Sequence, residues 1–283
     1  MTARALKPLL NAVVREAILQ SEDDKRYWAA VRELWARREI EILEAVYDWA
    51  ASRNPGLRAL VPDVLRGLGG TSGASPPYLE ETLTLFREML ARERHPDVIA
   101  AIGFANTDLA DPRMAALLLP FKGHAEAAVR EAVVHCLSTC PSSEAVAALL
   151  AMTRDCAVDV RGWATFWLAN HLGGSGDEDD LTDGPEVRKA LWERTKDASP
   201  DVRADAVLGL AQRRDLDVEP LVSAALEGTG PEEPQYIEAA EVLRKPSLYA
   251  PLLRLKSSGW GKSDTLLGKQ LTVALKACAP NKN

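Results

Sequence analysis

The segment SPDVRADAVLGL (199–210) decides the fold. It opens on a turn-forming Ser199-Pro200-Asp201, continues with Val202-Arg203, and then sets Val202, Ala206 and Leu210 four residues apart, one apolar stripe at helical spacing. Pro200 suits a first helical position, where its missing N–H costs nothing, and Ser199 suits the N-cap before it. Asp201 places negative charge in the first turn, favourable to the helix dipole. The pattern returns in HPDVIAAIGFAN (95–106), AAVREAVVHCL (127–137), VDVRGWATFWL (158–168) and the degenerate QYIEAAEVL (235–243). Anchored on Val98, Val129, Val160, Val202 and Ile237, the spacings are 31, 31, 42 and 35 residues. Arg130, Arg161 and Arg203 share one column, and Leu137, Leu168 and Leu210 share another.

A second apolar helical run follows each copy, at 111–121, 143–153, 185–196, 218–227 and 248–256. One unit is therefore a helix–turn–helix of roughly 31–35 residues. No stretch alternates with period two in β-branched residues, so no strands are expected. The flanks extend the series. Residues 55–68 and 77–94 read as an earlier pair, with Pro62 expected to shorten its first helix. Upstream, 4–20 and about 23–52 read as two helices, the second carrying Trp28, Trp35, Ile42 and Trp49 at intervals of seven. At the other end Ser263 is expected to cap a final helix over about 264–278. The predicted fold is all-α, a right-handed α-solenoid of roughly five or six repeats. Its array spans 53–256, between a helical cap at 1–52 and a capping helix with a basic tail at 257–283, in one continuous domain.

The Val-Arg helices Asp159-Val160-Arg161 and Pro200-Asp201-Val202-Arg203, with Ala128-Val129-Arg130 as a weaker copy, resemble the HEAT repeat. The subtype they are most similar to is the short bacterial PBS-lyase HEAT-like repeat. The resemblance covers roughly 95–256 and, loosely, 53–94. It implies a curved array whose second helices line a concave, protein-binding surface. The copies at Val98 and Ile237 have Ile99 and Glu238 in the arginine column, so any ladder of aspartate–arginine contacts would be broken there.

Across 283 residues, 47% hydrophobic and 27% charged residues exclude a disordered chain, and no apolar run approaches the ~20 residues of a membrane span. The first twenty residues carry charges inside their apolar stretch, unlike a secretory signal, and four cysteines make no disulfide framework. A cytoplasmic monomer without cofactors is the expectation. The formal net charge is −7, but the repeats hold most of the acidity: residues 53–255 carry 21 basic and 31 acidic side chains. That balance opposes nucleic-acid binding, which needs a basic footprint, and favours basic partners.

Two apparent motifs dissolve on inspection. His135-Cys136 with Cys140, even joined by Cys156 or His124, lacks the paired ligand spacing of a zinc site and reads as buried thiols. Gly261-Lys262-Ser263 resembles the tail of a phosphate-binding loop, but Lys256 stands where the leading glycine belongs. More specific is the insertion GGSGDEDDLTDG (173–184), which explains the 42-residue spacing and carries Asp177, Glu178, Asp179, Asp180 and Asp183. Their order does not fit an EF-hand. Beside it, Trp163 and Trp167 fill columns held by smaller or non-aromatic residues in the other copies, and Trp192 lies on the partner helix. These eight residues form the candidate partner-binding set; packing, for the tryptophans, and a solvated loop, for the acids, are the competing readings.

Nothing in the sequence assembles a nucleophile with a base, or a complete metal site. The expected function is a non-catalytic scaffold or adaptor that binds a protein with a basic surface. The alternative is an enzyme on HEAT-like repeats, resembling bacterial alkylpurine DNA glycosylases or phycobilin lyases. A third reading makes the tryptophan seam of 23–52 an oligomer face.

Overall fold

The computed structural model describes residues 6–19, 24–37, 39–68, 78–170, 183–227, 230–231, 233–260 and 265–280. Among them there are sixteen α-helices and no strand. They form two compact units, residues 1–140 and 141–283. The first unit holds α1 (Leu6–Leu19), α2 (Asp24–Trp35), α3 (Ile40–Ala50), α4 (Pro55–Leu65), α5 (Leu79–Arg92), α6 (Pro96–Leu109), α7 (Pro112–Leu118) and α8 (Ala127–Ser138). The second holds α9 (Ser143–Met152), α10 (Val158–Asn170), α11 (Pro185–Arg194), α12 (Pro200–Gln212), α13 (Glu219–Ala225), α14 (Gln235–Leu243), α15 (Tyr249–Ser257) and α16 (Leu266–Ala277).

All five anchors are buried, as is the Leu137, Leu168 and Leu210 column, which is fully enclosed. Each such side chain contributes about 1.5–3 kcal/mol by leaving water. Within each unit the first helices of successive repeats stack directly on one another: α4, α6 and α8 in the first, α10, α12, α14 and α16 in the second. Small residues permit the approach. A Cβ added at Gly209 of α12 would stand 2.5 Å from the Ala169 Cβ of α10, and one at Gly103 of α6 would stand 2.9 Å from the Ala132 Cβ of α8.

Three local expectations are corrected. The stretch expected as one helix holds two, α2 ending at Trp35 and α3 beginning at Ile40 behind an extended Glu39 at its N-cap. The seven-residue seam nevertheless packs inside the first unit. Ile42 and Trp49 are buried, and Trp35 donates its indole N–H to the Asp63 carbonyl at 3.0 Å while lying against Gly67. Pro62 does not end its helix: α4 continues to Leu65, since burying Leu60, Val61, Val64 and Leu65 outweighs the ~3 kcal/mol penalty of an interior proline. The last helix is capped by Thr265, whose hydroxyl accepts from the Gly268 N–H at 3.1 Å; Ser263 lies outside the described residues. Ser199 occupies the N-cap of α12 before Pro200 as expected, without a side-chain bond into the helix, and its own N–H donates to Asp197 Oδ1 at 3.0 Å.

Candidate functional site

The Val-Arg motif has a definite structural task. Nη1 of Arg130 donates to the carbonyls of His124 and Ala125 at 2.8 and 2.9 Å. Arg161 does the same to Asp155 and Cys156, and Arg203 to Asp197 and Ala198, in each case six and five residues back. These carbonyls belong to the turn entering each first helix, so the arginine closes its own turn. Arg58 repeats the geometry on Ser52 and Arg53, which adds the segment NPGLRAL (54–60) to the series.

A second column was not read from sequence because its residue types vary. Five residues before Leu57, Val98, Val129, Val160 and Val202 stands a side-chain acceptor: Ser52, Glu93, His124, Asp155 and Asp197 in turn. Each accepts from the backbone N–H two residues on, at 2.8–3.1 Å. Two of these acids also take the arginine of the preceding repeat: Arg58 bridges Glu93 through Nε and Nη2 at 2.7 and 3.0 Å, and Arg161 bridges Asp197 likewise at 2.7 and 3.1 Å. Burial pushes the Glu93 carboxyl up, but the hydrogen bonds from Arg58, His95 and Arg94 outweigh it and hold it at about 2.

With the turns fixed, the starts of α10, α12 and α14 enclose a groove of about 330 Å³. Val158, Asp159, Gly162, Trp163 and Phe166 line it from α10, Asp201, Val202 and Asp205 from α12, and Gln235 from α14. Trp163 is 38% exposed and meets Phe166 edge to face at 5.5 Å between centroids. Asp159 and Asp201 are exposed, whereas Asp205 is only 7% exposed. Gln235 Nε2 donates to Asp205 Oδ1 at 3.0 Å, the single hydrogen bond this carboxylate accepts among the described residues. Burial lifts Asp205 to about 6, against the pull of the Gln235 bond and with the nearby Asp201 charge adding to the rise. Gln235 Oε1 is itself buried and accepts no hydrogen bond among the described residues. Asp159, Asp201 and Asp205 thus bring three carboxylates to one lining.

The candidate residues divide accordingly. Trp163 lines the groove; Trp167 is half-buried and also meets Phe166 edge to face, at 5.6 Å between centroids. Trp192 donates its indole N–H to Asp215 Oδ2 at 2.9 Å, a contact between α11 and the turn after α12. Asp183 pairs with Arg188 at 2.7 Å and lies 3.7 Å from Arg213, whose guanidinium is buried on the Leu168 and Ala169 carbonyls at the end of α10. Asp177, Glu178, Asp179 and Asp180 lie outside the described residues. Asp201, Asp205 and Gln235 were missed. The signal was present in Asp205, which occupies the same column as Trp163, three residues after the anchor, where the other copies have alanine. The groove opens on first helices, not on the second helices that the resemblance implied.

The cysteine cluster is a packing feature. Asn106, fully buried in α6, directs its amide N–H groups to the Cys136 carbonyl and Thr139 hydroxyl, and its Oδ1 accepts from the Asp111 N–H. Burial and the neighbouring Cys140 push the Cys136 thiol up to about 12. Among the described residues no three His, Cys, Asp or Glu side chains gather as metal ligands, and no helix is long and apolar enough to cross a membrane.

No protein-family model matches the chain, and no curated protein does. Solved structures do. The X-ray structure of YibA from E. coli aligns over 98% of both chains at 18% identity with a TM-score of 0.71. The crystal structure of Kap121p covers 97% of this chain, which spans 33% of that protein, at 12% identity and a TM-score of 0.59. An engineered protein aligns over 95% of this chain and 78% of its own at 14% identity, with a TM-score of 0.52. Likeness at these identities shows the fold alone: together with the column-by-column repeat, it gives this chain the all-α, solenoid-type architecture of HEAT-like helical pairs.

Proposed function

We propose that the protein is an interaction scaffold that binds a basic segment of a protein partner in the groove of α10, α12 and α14. The observation carrying this reading is the pairing of an exposed aromatic, Trp163, with three carboxylates, one of them buried, in one concavity. Buried carboxylate is costly unless it serves a turn or a partner, and Asp205 closes no turn. An arriving cation would return Asp205 toward its ordinary ionisation, so binding and deprotonation reinforce each other. Trp163 would supply apolar area at the centre of the contact, with Asp159 and Asp201 at its rim.

The test is fluorescence anisotropy with a labelled peptide of mixed lysine and arginine. The affinity is expected to fall about tenfold between low and physiological salt, because exposed rim charges are screened within ~8 Å at 0.15 M. An Asp201→Asn plus Asp205→Asn variant should bind at least about fivefold more weakly. Equal affinity for an acidic peptide of the same length would overturn the reading.

A further inference from the structure

We infer that the occupant of this groove is specifically an arginine side chain, its guanidinium against Trp163 and Phe166 and its N–H groups on Asp205 and Asp201. This rests on the basic-segment reading above and narrows it to one residue type.

The first unit shows how this face of the repeat holds a guanidinium. There Asp97, Ala100, Ala101 and Phe104 of α6 line a groove of about 420 Å³, in the columns that α10 fills with Asp159, Gly162, Trp163 and Phe166. The chain supplies the cation itself. Arg66 lies with its Cζ 4.9 Å from the centre of the Trp28 ring and 5.7 Å from that of Trp35, while Nη1 stands 3.2 Å from the Asp108 carboxylate and Nε 3.9 Å from Asp63. One guanidinium is thus stacked on aromatic faces and bordered by two carboxylates.

In the second unit the same columns line a groove whose described lining includes three carboxylates and no lysine or arginine. Trp163 replaces Ala101, so the aromatic surface that α2 contributes in the first unit comes here from the repeat helix itself. The carboxylate beside the aromatic pair comes here from the following helix, as Asp205 of α12, and not from α4 or α6 as Asp63 and Asp108 do; one of its oxygens is committed to Gln235 and the other accepts nothing among the described residues. The acceptor left over on Gln235 adds a further partner for a fork of donors. A guanidinium is planar, stacks on an indole and still donates from its edge; an ammonium is a compact, strongly hydrated charge with no flat face to stack while it donates.

The experiment compares two labelled peptides, one alternating arginine with glycine and serine and one with lysine in place of every arginine, against the whole chain at low salt. The arginine peptide is expected to bind about tenfold tighter. Trp163→Ala, checked for an unchanged melting curve, should bring the two within about twofold. Asp205→Asn should weaken the arginine peptide more than the lysine one. Equal affinities, or tighter lysine binding, overturn the arginine assignment while leaving a basic partner standing. Preference retained in Trp163→Ala overturns the placement. Failure of both peptides to bind overturns the assignment together with the scaffold reading beneath it.

Discussion

Asp197→Ala tests whether the ladder between turns holds the second unit together. The Asp197 side chain is 3% exposed and its carboxylate accepts from Arg161 Nε and Nη2, Arg194 Nη1 and the Ser199 N–H, all between 2.7 and 3.1 Å. Burial raises this carboxyl, but the Arg161 and Ser199 hydrogen bonds and the two guanidinium charges outweigh it and hold it below its ordinary value. Removing one partner of a buried pair costs about 3–5 kcal/mol. Arg161 and Arg194 keep 14% and 19% of their side chains exposed and recover some hydration, so about 3 kcal/mol is the working figure. At roughly 2–4 °C per kcal/mol for a chain of this size, melting followed by circular dichroism should fall by about 6–12 °C at pH 7. The control is Glu193→Ala, which breaks the Arg154–Glu193 pair at 2.7 Å with side chains 53% and 36% exposed. Such a solvent-screened pair is worth at most about 1 kcal/mol, a shift below about 4 °C. Equal shifts in the two variants would refute the claim that burial, and not ion pairing as such, makes the ladder matter.

Further outcomes follow from the same geometry. Glu93 titrates near 2 in the folded chain, below its ordinary 4.5, so its contribution is present above about pH 4.5 and lost as pH falls toward 2; the melting difference between the native chain and Glu93→Gln should shrink over that interval. Asp205 has the opposite sign: its raised value near 6 means stability declines as pH rises from about 4 through 6, so Asp205→Asn should gain melting temperature at pH 7.5 and little at pH 4.5, while losing peptide binding. Gly209→Ala should destabilise by about 1–3 kcal/mol in urea denaturation, because the added Cβ meets Ala169 at 2.5 Å, although alanine is the better helix former. Trp163→Ala should cost little stability, whereas Leu168→Ala, fully enclosed on the same helix, should cost about 2–5 kcal/mol.

Much of the fold was legible because the signal lies in apolar spacing. Val129, Val160 and Val202 repeat with an arginine one residue on and a leucine eight on, and each mark corresponds to one buried contact or one closed turn. The acceptor column escaped because Ser52, Glu93, His124, Asp155 and Asp197 share only a lone pair, which any of several side chains provides. The site was half legible. Trp163 stood out as a bulky departure from its column, but its neighbours Asp201, Asp205 and Gln235 come from helices 38–72 residues away, and only stacking of first helices brings them together. Trp192 and Asp183 shared the sequence neighbourhood and not the groove, because their polar atoms are taken up by Asp215, Arg188 and Arg213.

Hydrogen exchange, read by mass spectrometry with and without a saturating arginine-containing peptide, tests the binding surface most directly. Slowed exchange confined to the first turns of α10, α12 and α14, around Val158–Phe166, Ser199–Asp205 and Gln235, is the expected result. Protection centred instead on the second helices α9, α11 and α13, or unchanged exchange at saturation, would contradict the account.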